Sequence, residues 1–267
     1  APAVLARAET APDAFAGGKA LLAKADFPGA LQAFAKAARA DRSNQEYLQH
    51  YAMVRQVLTL RAHLDTEKDD LRWEYIARGL HTFYLSQGLY QEALTLDNSM
   101  HARLNTGFSA ALLAETQLAL NRNAEAVEVL AALDPPKQTA ATRALHGLAL
   151  ARDGKRDQAR RIAGTIEVSP AVGPGVIYTV ARLSAAVGNA DQALGLLRQC
   201  FESVAPSRLD VFKNHARKSP EFAGLTSTPA FAEVLRTKSK VPESQCSGGT
   251  SCAGCPMRGK CPQSQGK

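Results

Sequence analysis

Four of the chain's five cysteines fall within sixteen residues near its carboxy terminus. Cys246, Cys252, Cys255 and Cys261 read C-x5-C-x2-C-x5-C in the run CSGGTSCAGCPMRGKC. Thiolates are the side chains that bind soft metals, join as disulfides or attack as nucleophiles. Their neighbours Ser244, Ser247, Gly248, Gly249, Pro256 and Lys260 offer too little apolar surface to build a core around them. The spacing therefore points to chemistry shared among the four: a metal or cluster, two disulfides, or reactive thiols. A tetrahedral thiolate site needs tight turns, and Gly248, Gly249, Gly254 and Gly259 permit them. Structural zinc usually takes two C-x2-C knuckles, and only one is present, Cys252–Cys255. Cys252–Cys255 does not match the c-type haem attachment, because Pro256 stands where that motif needs His.

The segment CAGCPMRGKC resembles the C-x-G-C-P-x4-C stretch of the cytosolic iron–sulfur scaffold ATPases, whose cysteines hold a [4Fe–4S] cluster. The resemblance covers ten residues. It implies Cys252, Cys255 and Cys261 as cluster ligands, and the four-cysteine spacing adds Cys246 as the fourth candidate, with zinc as the alternative metal and no cofactor if the tail is disulfide-bonded. That family places its first cysteine much farther upstream. No nucleotide-binding loop occurs in the chain, so no ATPase activity carries over. Compartment decides between thiolate and disulfide. Residues 1–8, APAVLARA, fit the end of a secretory signal with Ala6-Arg7-Ala8 as a small-x-small site, or a start left by Met removal. Export is slightly favoured over the cytoplasm.

Stepping N-terminally from the tail, residues 237–245 read as a Lys/Ser/Pro linker. Before it, SPEFAGLTSTPAFAEVL contains an echo, Ser219-Pro220-Glu221-Phe222 and Thr228-Pro229-Ala230-Phe231. Each Pro sits at a first helical turn behind a Ser or Thr cap. Residues 206–236 therefore read as a helical cap, with Phe222, Leu225, Phe231, Val234 and Leu235 as its apolar face.

The region 11–205 is repetitive. FPGALQAFAKA, LYQEALTLDNSM, NAEAVEVLAAL, KRDQARRIAGTI and NADQALGLLRQC align on Ala30, Ala93, Ala126, Ala159 and Ala193, spaced 63, 33, 33 and 34. The first gap is close to two periods, which implies one degenerate repeat between. Twelve residues upstream stand Gly18, His81, Ala114, Gly147 and Ala181, all small but His81. Turn signals lie between: Gly88, Asn121-Arg122-Asn123, Gly154 and Gly188-Asn189. Each unit reads helix, turn, helix, with small residues where the two helices cross. Residues 44–73 fit worst, and read as one long helix from about Asn44 with a restart near Asp69-Asp70.

Period and small-residue pattern resemble the tetratricopeptide (TPR) repeat across residues 11–205. Four residues after the key alanine that family usually has an aromatic. Only Phe34 supplies one; Asp97, Leu130, Ala163 and Leu197 do not. The resemblance implies an all-α fold, a right-handed helical solenoid of five to six helix pairs, followed here by the cap and the cysteine tail. It also implies a binding groove, and by repeat register the candidate groove residues are Tyr75, Arg78, Phe108, Glu115, Tyr178 and Arg182. Large aromatics and Arg are the types that anchor interfaces. The Lys/Asn clamp that some TPR domains use for carboxy-terminal peptides is not matched.

The rest of the composition narrows function. Hydrophobic residues are 45% and aromatics 6%, which favours closely packed helices. No apolar run approaches the ~20 residues of a membrane span. The formal charge is +7, with its basic residues scattered rather than striped. A protein partner in the groove is expected, and neither nucleic acid nor a membrane span. Cys200 reads as a small buried hydrophobe in LLRQC. No two of the six histidines stand at i, i+4, and residues 1–240 hold no catalytic constellation. The reading is a non-enzymatic scaffold. The alternative is a redox or metal protein whose solenoid docks the tail.

Overall fold

Four of the five helix pairs begin with a side-chain-capped first helix, the fifth beginning on Gly173-Pro174 instead, and each pair turns on one left-handed residue. The structure, a computed structural model, describes residues 10–169 and 172–242. These residues form thirteen α-helices and two one-turn 3-10 segments, with no strand among them. The all-α expectation is met. By contact the chain divides into two compact units, residues 1–155 and 156–267.

The first unit contains α1 (Ala11–Ala23), α2 (Phe27–Ala40), α3 (Gln45–Thr66), α4 (Asp70–Ser86), α5 (Tyr90–Leu104), α6 (Gly107–Ala119), α7 (Asn123–Ala131) and α8 (Ala140–Arg152). The second contains α9 (Arg156–Ala163), α10 (Pro174–Ala186), α11 (Ala190–Ser203), α12 (Pro206–Lys218) and α13 (Pro229–Leu235). Consecutive helices pack on each other, as α1 does on α2, α4 on α5, α6 on α7 and α10 on α11.

Starts and turns follow local chemistry. The side chains of Thr10, Asp26, Asn44, Asp69, Thr106, Thr139 and Asn189 each accept a backbone N–H of the following first turn. The turns inside the pairs contain Gly88, Asn121, Gly154 and Gly188, with φ of +70°, +58°, +82° and +91°. That conformation clashes with a Cβ, so Gly and Asn are favoured there. The first pair uses Ala25 at φ +59° for the same turn, and the sequence carries no signal for it.

The small-residue register is realised in full. Ala30, Ala93, Ala126, Ala159 and Ala193 have no exposed surface. Gly18, Ala114, Gly147 and Ala181 are buried as well. A Cβ on Gly18 would stand 2.6 Å from the Phe34 ring, so the one aromatic that obeys the pattern is what excludes any side chain there.

Three features differ from expectation. Between α2 and α4 lies no degenerate pair; the segment is one 22-residue helix, α3, started by Asn44 and ended before the Asp69 restart, which is how the 44–73 pattern itself reads. The linker read over 237–245 is held at its beginning. Ser239 Oγ donates to the Val204 carbonyl at 2.6 Å, and Lys240 N–H to the Glu202 carbonyl at 2.8 Å. The two cap echoes also differ from each other. Thr228 accepts from Phe231 N–H, whereas Ser219 donates to the Glu221 carboxylate at 2.7 Å and caps nothing. Phe222, Phe231 and Val234 are buried, as read.

Candidate functional site

Helix α4 has an exposed stripe. Leu71, Tyr75, Arg78 and Thr82 recur at helical spacing on one face. Leu71 is 79% exposed and Tyr75 70%. Water is a poor neighbour for both, since burying such a side chain contributes about 1.5–3 kcal/mol. Across from the stripe, Phe108 of α6 is 41% exposed. The Arg78 guanidinium lies 4.7 Å over its ring centre and joins the two helices into one surface. Glu74 is within 3.9 Å of Arg78, and Glu115 is exposed two turns farther along α6. Among the described residues five large hydrophobics are conspicuously exposed, and three of them are these.

The stripe sits on a fixed base. Arg103 of α5 stacks 4.9 Å over the buried Trp73 ring. Its fork bonds Asp70 at 2.8 Å and the carbonyls of Glu67 and Lys68 at 3.1 and 2.9 Å. A guanidinium whose donors are spent this way is a clamp, and it pins the start of α4. One turn beyond Tyr75 stands Gly79. A Cβ there would meet nothing within 4 Å, so no internal packing requires the glycine. A glycine inside a helix costs about 0.5–1 kcal/mol relative to Ala.

Beneath the stripe the repeat pattern is broken twice in a related way. His81 replaces the small residue of the first helix, and Asp97 replaces the aromatic of the second. The two meet: His81 Nδ1 stands 2.8 Å from Asp97 Oδ1. Thr116 of α6 donates to Asp97 Oδ2 at 2.6 Å. Asp97 and Thr116 have no exposed surface, and His81 only 5%. The carboxylate is thus satisfied from two helices, as a buried charge must be. The sequence shows each departure singly; that both fall in one pair, on facing positions, is the signal that links them.

The remaining candidates lie elsewhere. Tyr178 and Arg182, read as groove residues, are covered. Tyr178 is 7% exposed, with its Oη 2.7 Å from His215 Nδ1 of α12. The ring meets Phe212 edge-on at 5.4 Å and Phe222 at 6.2 Å. Burial raises its phenol above the ordinary range, only partly offset by the Arg182 cation. Arg182 pairs with Glu221 at 3.2 Å, the two side chains being 14% and 3% exposed. A register argument finds the right face of α10 but cannot see that residues 206–222 return to cover it.

Cys200 is fully buried, and burial pushes its thiol up to about 12. It donates to the Pro174 carbonyl at 3.3 Å and is an inert packing residue. His101 and His146 are held below the ordinary imidazole range by burial. No group of His, Cys, Asp and Glu able to hold a metal occurs among the described residues. Cys246, Cys252, Cys255 and Cys261 lie outside them. No described helix is long and apolar enough to cross a membrane.

No family model matches the chain, and no curated protein does. Among solved structures it is similar to a thermophilic TPR protein of Thermus thermophilus, with 21% identity, a TM-score of 0.37, and 78% of this chain and 97% of that one covered. It is also similar to a tetratricopeptide repeat protein of Parabacteroides merdae, with 14% identity, a TM-score of 0.45, and coverages of 85% and 98%.

Proposed function

We propose that this chain is a non-enzymatic, TPR-like scaffold that binds a protein partner on the α4–α6 face. The exposed constellation of Leu71, Tyr75 and Phe108, braced by Arg78, carries this reading. Apolar side chains are exposed singly on most surfaces, but clustered exposure marks interaction. Aromatic and Arg side chains are also the ones that dominate interface energies, at about 2 kcal/mol or more each. The test is affinity purification of the Tyr75→Ser, Phe108→Ser double variant from its native cells. Both side chains are exposed, so the melting transition should not move. Copurifying proteins retained by the unaltered chain should be lost. An unchanged set of partners would show that binding, if any, uses another surface.

A second reading rests on the spacing of Cys246, Cys252, Cys255 and Cys261. Their thiols together hold an iron–sulfur cluster, or zinc in its place, and the helical units dock that group to a partner. Metal analysis of anaerobically purified protein tests it, and a colourless, metal-free chain with the four sulfurs oxidised would overturn it.

A further inference from the structure

The two units treat the same helical face in opposite ways. Ala93 and Ala193 occupy one register position, so α4 and α10 correspond residue for residue at an offset of 100. Arg78 and Thr82 on α4 answer to Tyr178 and Arg182 on α10. In the first unit this stripe is open, with Tyr75 70% exposed and the Arg78 side chain 56%. In the second it is filled by the chain itself, through α12 and the 3-10 segment Pro220–Phe222.

The filled copy shows what such a face accepts. Phe222 and Phe212 set their rings against Tyr178. Glu221, the residue beside Phe222, accepts from Arg182 Nε and Nη2 at 3.2 and 3.5 Å. Ser219 steadies the same carboxylate at 2.7 Å. The occupant is thus a short S-P-E-F segment: an aromatic to pack on the tyrosine, and an adjacent carboxylate for the arginine. Paired charge of this kind fixes register, and the aromatic supplies the buried area.

The open face of α4 also carries a tyrosine followed by an arginine, Tyr75 and Arg78, spaced three residues rather than four and standing about one turn N-terminal of the positions equivalent to Tyr178 and Arg182, so the same chemistry is offered one turn earlier along the helix. Phe108 adds a second aromatic wall. Arg72 stands beside the stripe, and among the described residues its guanidinium makes no ion pair. Gly79 leaves a flat place between Tyr75 and Thr82 where a partner backbone can lie close.

We infer that the α4–α6 face docks a partner segment in which a phenylalanine stands next to a glutamate, the chemistry that residues 219–222 supply to α10. The inference rests on the scaffold reading above and adds the partner's chemistry to it.

The probe is a fluorescein-labelled peptide copying residues 218–226, KSPEFAGLT, titrated into the full chain and followed by anisotropy. Saturable binding is expected, weakened about tenfold by Arg78→Glu and by Tyr75→Ser. A peptide with Lys in place of its glutamate should bind the Arg78→Glu variant better than it binds the unaltered chain. If a glutamine peptide binds as tightly as the glutamate peptide and Tyr75→Ser still weakens it, the acidic requirement is overturned while the docking face stands. Binding indifferent to both substitutions, as when the peptide displaces its own copy from α10, overturns the inference, and so does absence of binding. The purification experiment with Tyr75→Ser and Phe108→Ser then decides the scaffold reading separately.

Discussion

At the scale of single residues, the buried His81–Asp97–Thr116 set is the most consequential departure from the repeat pattern. A carboxylate with no exposed surface is tolerated because two helices donate to it. Asp97→Ala should destabilise the fold by about 3 kcal/mol, since it strands a buried imidazole and a hydroxyl without their acceptor. Replacing the pair together, His81→Ala with Asp97→Phe, restores the usual small-plus-aromatic arrangement and should cost less than Asp97→Ala alone. Urea unfolding of the single and double variants measures the coupling. Additive losses would mean that the two side chains do not act as a unit. Each residue was visible in the sequence as an exception, but their contact depends on how far α5 is rotated against α4.

Among the elements, turns were the most legible. Gly88, Asn121, Gly154 and Gly188 read as turns and adopt left-handed backbone, and Asn44 and Asp69 start their helices as read; of the two caps read beyond α11, Thr228 accepts its backbone N–H and Ser219 does not. The segment after α13 was less legible, because its Lys/Ser/Pro composition says linker while its bonds say strap. Ser239 and Lys240 together tie it to the end of α11, with a further ion pair from Lys240 to Glu202 at 2.8 Å. A chain ending at Thr237 should therefore be less stable than one ending at Pro242. The difference expected is about 1–2 kcal/mol, two net hydrogen bonds, with the exposed ion pair adding little. Thermal melts of the two truncations decide it, and coincident melts would return the segment to the status of a linker.

For the whole molecule, charge and chemistry are unevenly distributed. Residues 10–155 carry sixteen Lys and Arg against sixteen Asp and Glu, whereas residues 156–242 carry twelve against seven. Most of the surplus that makes the chain basic thus belongs to the second unit, whereas the α4–α6 face relies on particular arginines rather than on net charge. The cysteines should behave as one unit if they hold metal, because ligand loss and local folding are coupled. Cys252→Ser should then abolish bound metal, while in an oxidised tail it should free one partner thiol; Cys200→Ser should do neither. Metal content with a thiol count under native and denaturing conditions distinguishes these outcomes. Helix periodicity, capping residues, left-handed turns and the crossing alanines were determined by the sequence alone, because each depends on neighbours within one pair. Two things were decided only by tertiary structure: that Tyr75 stays open, and that Tyr178 is covered by a segment about forty residues downstream. Exposure is set by which distant segment returns to a face, and no local pattern encodes that return.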